Sequence, residues 1–339
     1  MPQASRDHRP VRFVVYGAGG IGGVIGARLH QAGHPVTLIA RGAHLRAIVE
    51  HGLTLETPGG SVTLDIPAVG APGDVDWAGG EPRVVLLAMK GQDTKPALRD
   101  LVAAAPPETA VVCAQNGVVN ERRAARVLDN TYAMCVMCPA THLKPGVVQA
   151  HSAPVTGLLD LGRFPDGVDA TAEAVAAALG GATFDSRAMG DAMRWKYAKL
   201  LKNLGNAVEA LCGPEGRGSE VDRLARLEGE AALRAAGIAF ASDEEDAERR
   251  GDLLRLRATA SGRWSGGSSW QSLARGAGSI EADYLNGEIA LLGRLHGVAT
   301  PCNILLQRLA NEMARTASPP GRWSVADLVA RIDGGSPAR

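Results

Sequence analysis

The sequence has no excess of either charge: Lys plus Arg and Asp plus Glu each number 36 in 339 residues. No global field therefore draws the chain to nucleic acid or to an anionic membrane. No run approaches the ~20 continuous apolar residues of a transmembrane helix. The first ten residues are polar and lack the apolar core of a signal peptide, so a cytoplasmic location is expected. Cysteines are few: Cys113, Cys135, Cys138, Cys212 and Cys302 are too scattered for a disulfide framework. Cys135 and Cys138 have CxxC spacing, but no second pair or histidine set stands at zinc-ligand spacing. Beside Met134, Val136 and Met137 they read as small apolar residues of a buried strand, and no metal is expected. Internal repeats and extended low-complexity segments are also missing.

What is present is glycine, 42 residues of it, and one group has a telling position. Residues 11–16 form a short, apolar, β-branched run, the mark of a buried parallel strand. The run breaks into Gly17-Ala18-Gly19-Gly20-Ile21-Gly22, and Ile21, Ile25 and Leu29 then recur at helical spacing. In such a turn Gly17 permits the bend, Gly19 lets the backbone approach a pyrophosphate, and Gly22 lets helix and strand pack closely. The free N–H groups and dipole of the helix start favour phosphate. GxGxxG alone is a weak signal; the strand before it and the helix after it supply the context of a dinucleotide site.

The second strand, 36–40, ends at Arg41, where dinucleotide folds face the adenosine ribose. A carboxylate there would accept from a 2′-hydroxyl, whereas an arginine suits a 2′-phosphate through charge and forked donors. Arg41 therefore argues for NADP(H), with an exposed helix-capping arginine as the plain alternative. Residues 52–56 and 61–66 alternate in polarity around Pro58-Gly59-Gly60, which predicts a hairpin beside the parallel sheet. Buried strands at 83–89 and 110–114 end at Lys90-Gly91-Gln92 and Gln115-Asn116-Gly117. Ligands of open α/β sheets sit at the carboxyl ends of strands. Lys90, Gln92 and Asn116 are thus candidates, although each alone is an ordinary turn residue.

Strand signals continue at 134–137, 147–149, 158–161 and 182–184, with an alanine-rich helix over 170–179. From Met189 they vanish and long helical patterns take over. The expected fold class is α/β: a Rossmann-type dinucleotide-binding domain over 1–186, then an all-α domain over 187–335, with a frayed tail after Gly334. In the helical half, Lys199, Asn203 and Asn206 share one face of a helix. Asn is a poor interior helix residue, so two on one stripe with a lysine need an explanation. Glu281, Tyr284 and Glu288 share another face. On periodicity alone a wet surface is the ordinary reading, with Lys196, Lys199 and Lys202 as snorkelling lysines.

Together these elements resemble the ketopantoate reductase (2-dehydropantoate 2-reductase) family over nearly the whole chain. The resemblance is carried by the glycine turn, Arg41, Lys90-Gly91-Gln92 and Gln115-Asn116-Gly117. It is carried further by Lys199-Leu200-Leu201-Lys202-Asn203, and by Glu281-Ala282-Asp283-Tyr284-Leu285-Asn286-Gly287 preceded by Ser268-Ser269. The glycines are generic; the later elements, in this order, are much more specific. The resemblance implies an active site in the cleft between the two domains and NADPH-dependent reduction of ketopantoate to pantoate, toward pantothenate and coenzyme A. It implies Lys199 and Glu281 as catalytic residues and Asn116, Asn203, Asn206 and Ser269 as substrate contacts. Around the cofactor it implies Gly17, Ala18, Gly19, Gly20, Ile21, Gly22, Arg41, Lys90, Gln92 and Asn116.

Two departures bear on these assignments. Trp195 stands four residues before Lys199 where the family usually has two, which keeps Lys196 and Lys202 as alternatives for the catalytic lysine. Asn206 comes one residue earlier than the family's second asparagine. Trp270 replaces the more usual methionine after the serines, and is expected to reshape the pocket near the substrate. The chemistry suits the residue types: a lysine ammonium both stabilises and protonates a ketone oxygen, and partial burial lowers its pKa toward a useful range. Alternatives are another small 2-keto acid on the same scaffold, or a non-catalytic NADP(H)-binding sensor, against which the paired Lys199 and Glu281 argue. The partner expected is a small 2-keto acid, with no nucleic acid or membrane, and a homodimer stays open.

Overall fold

The computed structural model describes residues 11–78, 83–264 and 266–334; the polar first ten residues and the tail beyond Gly334 lie outside them. The N-terminal half runs β1 (Arg12–Tyr16), α1 (Gly20–Gln31), β2 (Val36–Ile39), α2 (Gly42–His51), β3 (Leu53–Thr57), β4 (Gly60–Leu64) and β5 (Ala68–Val69). It continues through β6 (Arg83–Leu87), α3 (Thr94–Ala104), β7 (Ala110–Cys113), α4 (Asn120–Ala124) and β8 (Thr131–Met137). It closes with β9 (Ala140–Thr141), β10 (Val147–Ala150), β11 (Ser152–Pro154), β12 (Leu158–Arg163) and α5 (Ala170–Gly181).

The main sheet has the order β12-β8-β7-β6-β1-β2-β5. All its pairings are parallel except that of β12 with β8. Its strands are continuous apolar runs because both faces are covered. Alternate residues go to opposite faces: Phe13 and Val15 pack with Ile25, Leu29 and Leu38, while Val14 packs with Val85, Leu98 and Leu101. The predicted hairpin forms, as β3 and β4, but it joins β10 and β9 in a separate four-stranded sheet. The strand predicted at 182–184 does not. Leaving α5, the chain turns through Thr183 in the left-handed region (φ 68°), and only two isolated parallel bridges to β12 follow, at Asp185 and Ala188.

The second half comprises α6 (Ala192–Asn203), α7 (Gly205–Cys212), α8 (Glu220–Ala235), α9 (Asp243–Arg250), β13 (Leu254–Leu256), α10 (Ser268–Ala274), α11 (Asn286–His296), α12 (Pro301–Arg315) and α13 (Val325–Gly334). It has its own core around Leu204, Val208, Leu211, Leu233, Ile289 and Leu306. Gly229 lets α8 come close: a side chain there would place its Cβ 2.7 Å from Leu201 Cδ2 and 2.8 Å from Leu204 Cδ1. One short strand interrupts the helices. β13 pairs antiparallel with β11 and straps the helical half to the N-terminal half. A small apolar cluster joins the halves, with Trp195, Leu253 and Leu254 packed against Cys135, Met137 and Leu158.

Two buried ion pairs also cross between the halves. Lys196 Nζ on α6 lies 2.6 Å from Glu121 Oε1 on α4 and donates to the Gln115 carbonyl at 2.7 Å. Arg249 on α9 forks onto Asp160 of β12, both contacts at 2.7 Å, and its Nη2 also reaches Asp185 at 2.6 Å.

Candidate active site

A cavity of about 920 Å³ opens between the halves, at the carboxyl ends of the parallel strands. The glycine turn forms one end, and α6, α7 and the start of α10 form the other.

At the turn, Gly17 has φ +103°, and a Cβ on it would lie 2.6 Å from the Met89 nitrogen. Gly22 packs equally tightly, its Cβ position being 2.8 Å from Ala88 Cβ. Gly19 instead faces open space, with nothing within 4 Å of where its Cβ would stand. His44 of α2 braces the turn. Its Nδ1 accepts from the Gly146 N–H at 2.9 Å, so the ring proton sits on Nε2, which donates to the Ala18 carbonyl at 2.7 Å. Burial lowers the His44 pKa, and that of the adjacent His142 to about 4, so both rings are neutral near pH 7.

Arg41 stands at the end of β2, lines the cavity and is 73% exposed, with its guanidinium 3.4 Å from Asp93. Asp93 and Asp100 line the same end, and after burial itself Asp100 is the main influence raising the Tyr16 pKa. Across the cleft, Lys90 Nζ donates to Ser272 Oγ, which donates to the Ser268 carbonyl at 2.8 Å. The Gly91 N–H donates to Glu281 Oε1 at 3.1 Å. Burial raises the Glu281 pKa and lowers that of Lys90, each opposed by the charge of the other. Gln92 points elsewhere. It donates to Ser279 Oγ at 3.1 Å and borders a neighbouring groove of about 600 Å³.

The stripe predicted on one helix spans two. α6 and α7 meet at Leu204, which keeps helical dihedrals (φ −59°, ψ −36°), so Lys199, Asn203 and Asn206 still face one cavity wall. Glu209, three residues further, extends the stripe. Burial, reinforced by Arg250, lowers the Lys199 pKa to about 8. Lys196 faces away, into its ion pair with Glu121; Lys202 lines the cavity but is held by Asp246. Asn203 Nδ2 donates to Asn116 Oδ1 at 3.1 Å. Asn206 Oδ1 accepts from Arg217 Nη2.

Three expectations take a different form. Ser269 is buried within its helix and does not line the cavity, whereas Ser268 does. Trp270 packs beside Gly266, and the tryptophan at the cavity is Trp264. Glu281, Tyr284 and Glu288 share no helix face, because residues Glu281–Tyr284 form a 3₁₀ turn and α11 begins only at Asn286. Tyr284 lies under the Arg123 guanidinium, 4.8 Å from ring centre, and burial raises the Glu288 pKa against the pull of Arg122. Sequence reasoning missed Glu209, Arg217, Trp264 and Arg250. Only Glu209 carried a signal, its continuation of the stripe.

Cys135 and Cys138 are free thiols whose pKa values burial pushes up to about 11 and about 12. Among the described residues no three His, Cys, Asp or Glu side chains cluster as metal ligands, and no helix is long and apolar enough to cross a membrane.

Comparison with known proteins bears on this site. The family described as ketopantoate reductase PanE/ApbA matches residues 13–166, and its C-terminal counterpart matches residues 191–314. The 2-dehydropantoate 2-reductase of Pyrococcus horikoshii is 27% identical over 304 residues, covering 88% of this chain and 96% of that protein. That of Caulobacter vibrioides is 28% identical over 320 residues, covering 89% and 99%. The crystal structure of a PanE/ApbA family ketopantoate reductase from Ralstonia eutropha JMP134 superposes with a TM-score of 0.75 at 28% identity, over 90% of this chain and 99% of that one. D-mandelate dehydrogenase, solved with NADH and anilino(oxo)acetate, shares the fold with a TM-score of 0.76 at 24% identity, over 90% and 99%.

Proposed function

The chain belongs to the ketopantoate reductase PanE/ApbA family of oxidoreductases, and from that premise we propose that it reduces 2-dehydropantoate to pantoate with NADPH, a step toward pantothenate and coenzyme A. The observation that carries the proposal is the placing of Lys199, with its lowered pKa, on one cavity with the glycine turn.

The residues at the turn fit a nicotinamide dinucleotide. Gly19 leaves open space at the start of α1, where backbone N–H groups are free for a pyrophosphate. Arg41 offers forked donors to a 2′-phosphate, at the cost of its contact with Asp93. The nicotinamide, when bound, supplies the hydride. Lys199 then hydrogen-bonds the ketone oxygen, stabilises the negative charge that develops on it, and gives up the proton. A pKa of about 8 leaves the ammonium protonated near neutrality yet acidic enough to transfer. Asn203, Asn116 and Asn206 hold the substrate with neutral amides. Glu281, oriented by the Gly91 N–H, accepts from a substrate hydroxyl. The serine contact expected of Ser269 we assign to Ser268, the member of the pair that lines the cavity.

A second reading, a different small 2-keto acid, is favoured by Glu209, Arg217 and Trp264 in the wall. Turnover separates the two: the purified chain with NADPH and a panel of 2-keto acids, followed by loss of reduced-cofactor absorbance. The expected result is the highest kcat/KM for 2-dehydropantoate. Cofactor binding without turnover of any 2-keto acid would overturn both readings in favour of a sensor.

A further inference from the structure

The chemistry above leaves one feature of the cavity unused, the Glu209–Arg217 pair beside Asn206. Resting on the reading of the site as one for 2-keto acids, we propose that Arg217 is a positioning residue. Braced by Glu209, it turns the Asn206 amide so that the NH₂ group, and not the oxygen, meets the carboxylate of the substrate.

The two ends of an asparagine amide are nearly alike in shape, so neighbours decide which end points where. A guanidinium carries only donors. The Asn206 atom that meets Arg217 Nη2 is therefore Oδ1, which leaves Nδ2 at the opposite edge of the planar amide. Nδ2 donates to no protein group among the described residues, and Asn206 lines the cavity together with Lys199.

Arg217 is itself held. Its Nε and Nη2 reach Glu209 Oε2 at 3.3 and 2.9 Å, and the Gly267 N–H donates to the same oxygen at 3.0 Å. Gly267 permits this crowding: a Cβ there would stand 2.8 Å from Glu209 Oε2 and 3.1 Å from Arg217 Nη2. The pair carries no net charge, so it adds little unscreened attraction for anions. Its effect is on hydrogen-bond polarity. Without Arg217 the amide can make a half-turn and present Oδ1, which repels a carboxylate but accepts from a neutral carboxamide.

The test compares kcat/KM for a 2-keto acid and for the primary amide of the same compound, alongside the NADPH dissociation constant and the melting temperature. Arg217→Met should lower kcat/KM for the acid roughly 10- to 100-fold, the range for losing a hydrogen bond to a charged group. Turnover of the amide and affinity for NADPH should hold. Arg217→Lys, which keeps only donors at this point, should restore most of the preference for the acid. Asn206→Asp keeps the Arg217 contact but faces the cavity with an acceptor, and should shift preference toward the amide even if Arg217→Met folds poorly. An equal fall for acid and amide, or an unchanged ratio in an active Arg217→Met protein, overturns the proposal alone. A wild-type protein that turns over neither compound overturns the reductase reading and this proposal with it.

Discussion

Lys196 and Glu121 form an ion pair at 2.6 Å with side chains only 3% and 0% exposed, one turn of helix before the lysine that faces the cavity. The same helix thus carries a cation that fastens the two halves and a cation that lines the cavity. Burial raises the Glu121 pKa while the Lys196 ammonium opposes it, so neither partner is comfortable alone.

Removing one of them should therefore be costly. Lys196→Met is expected to lower stability by about 3–5 kcal/mol, because it leaves a buried carboxylate unpaired. Adding Glu121→Leu should recover part of that loss, a non-additivity that denaturant unfolding of both variants would read. A Lys196→Met protein of undiminished stability but without activity would point to Lys196 as the catalytic lysine.

The acid role proposed for Lys199 predicts the pH response. As an acid it must be protonated, so kcat for ketone reduction should fall as pH rises through about 8, and the reverse oxidation should rise. Lys199→Ala should lower kcat by roughly 10²–10⁴ and abolish that limb of the profile. The same group affects folding with the opposite sense. Its folded pKa of about 8 lies below the ordinary 10.5, so between those values the unfolded chain binds the extra proton, and this group adds stability as pH rises.

The cofactor preference should respond to Arg41 and Asp93 in opposite directions. Arg41→Ala should reduce the NADPH-to-NADH ratio of kcat/KM about 10- to 100-fold, the value of a charge-assisted contact. Asp93→Asn frees Arg41 from its competing carboxylate and should raise the ratio. An Arg41→Ala protein with an unaltered ratio would place the 2′-phosphate elsewhere.

The sequence was most informative where local chemistry decides the outcome. The strands β1, β2, β6, β7 and β8 are apolar runs that only a doubly covered sheet accommodates. The glycine turn between β1 and α1 follows from the bend it has to make. The stripe Lys199, Asn203, Asn206 is legible because helical spacing survives the break at Leu204. What was not legible depends on contacts distant in the chain. Ser268 and Ser269 sit about 100° apart around a helix, and only the packing of α10 decides which meets the cavity. β13 is three residues long and owes its existence to β11, a hundred residues earlier. Arg217 follows a turn with no periodicity, so its return onto Asn206 and Glu209 leaves no pattern to read. The break after Tyr284 rotates Glu281 away from Glu288, an effect of Leu285 (φ −115°, ψ −87°) that spacing does not reveal.

The fork of Arg249 onto Asp160 and Asp185 has a thermodynamic consequence for the molecule as a whole. Two separate cores would ordinarily be free to melt one after the other. Here, parting them would strand Arg249 and Asp160, and Lys196 and Glu121, as uncompensated charges in regions built to exclude water. Neither half can lose its partner at small cost, so the chain should unfold in a single calorimetric transition. Arg249→Met combined with Lys196→Met, which removes both pairs, should be the change that divides it into two.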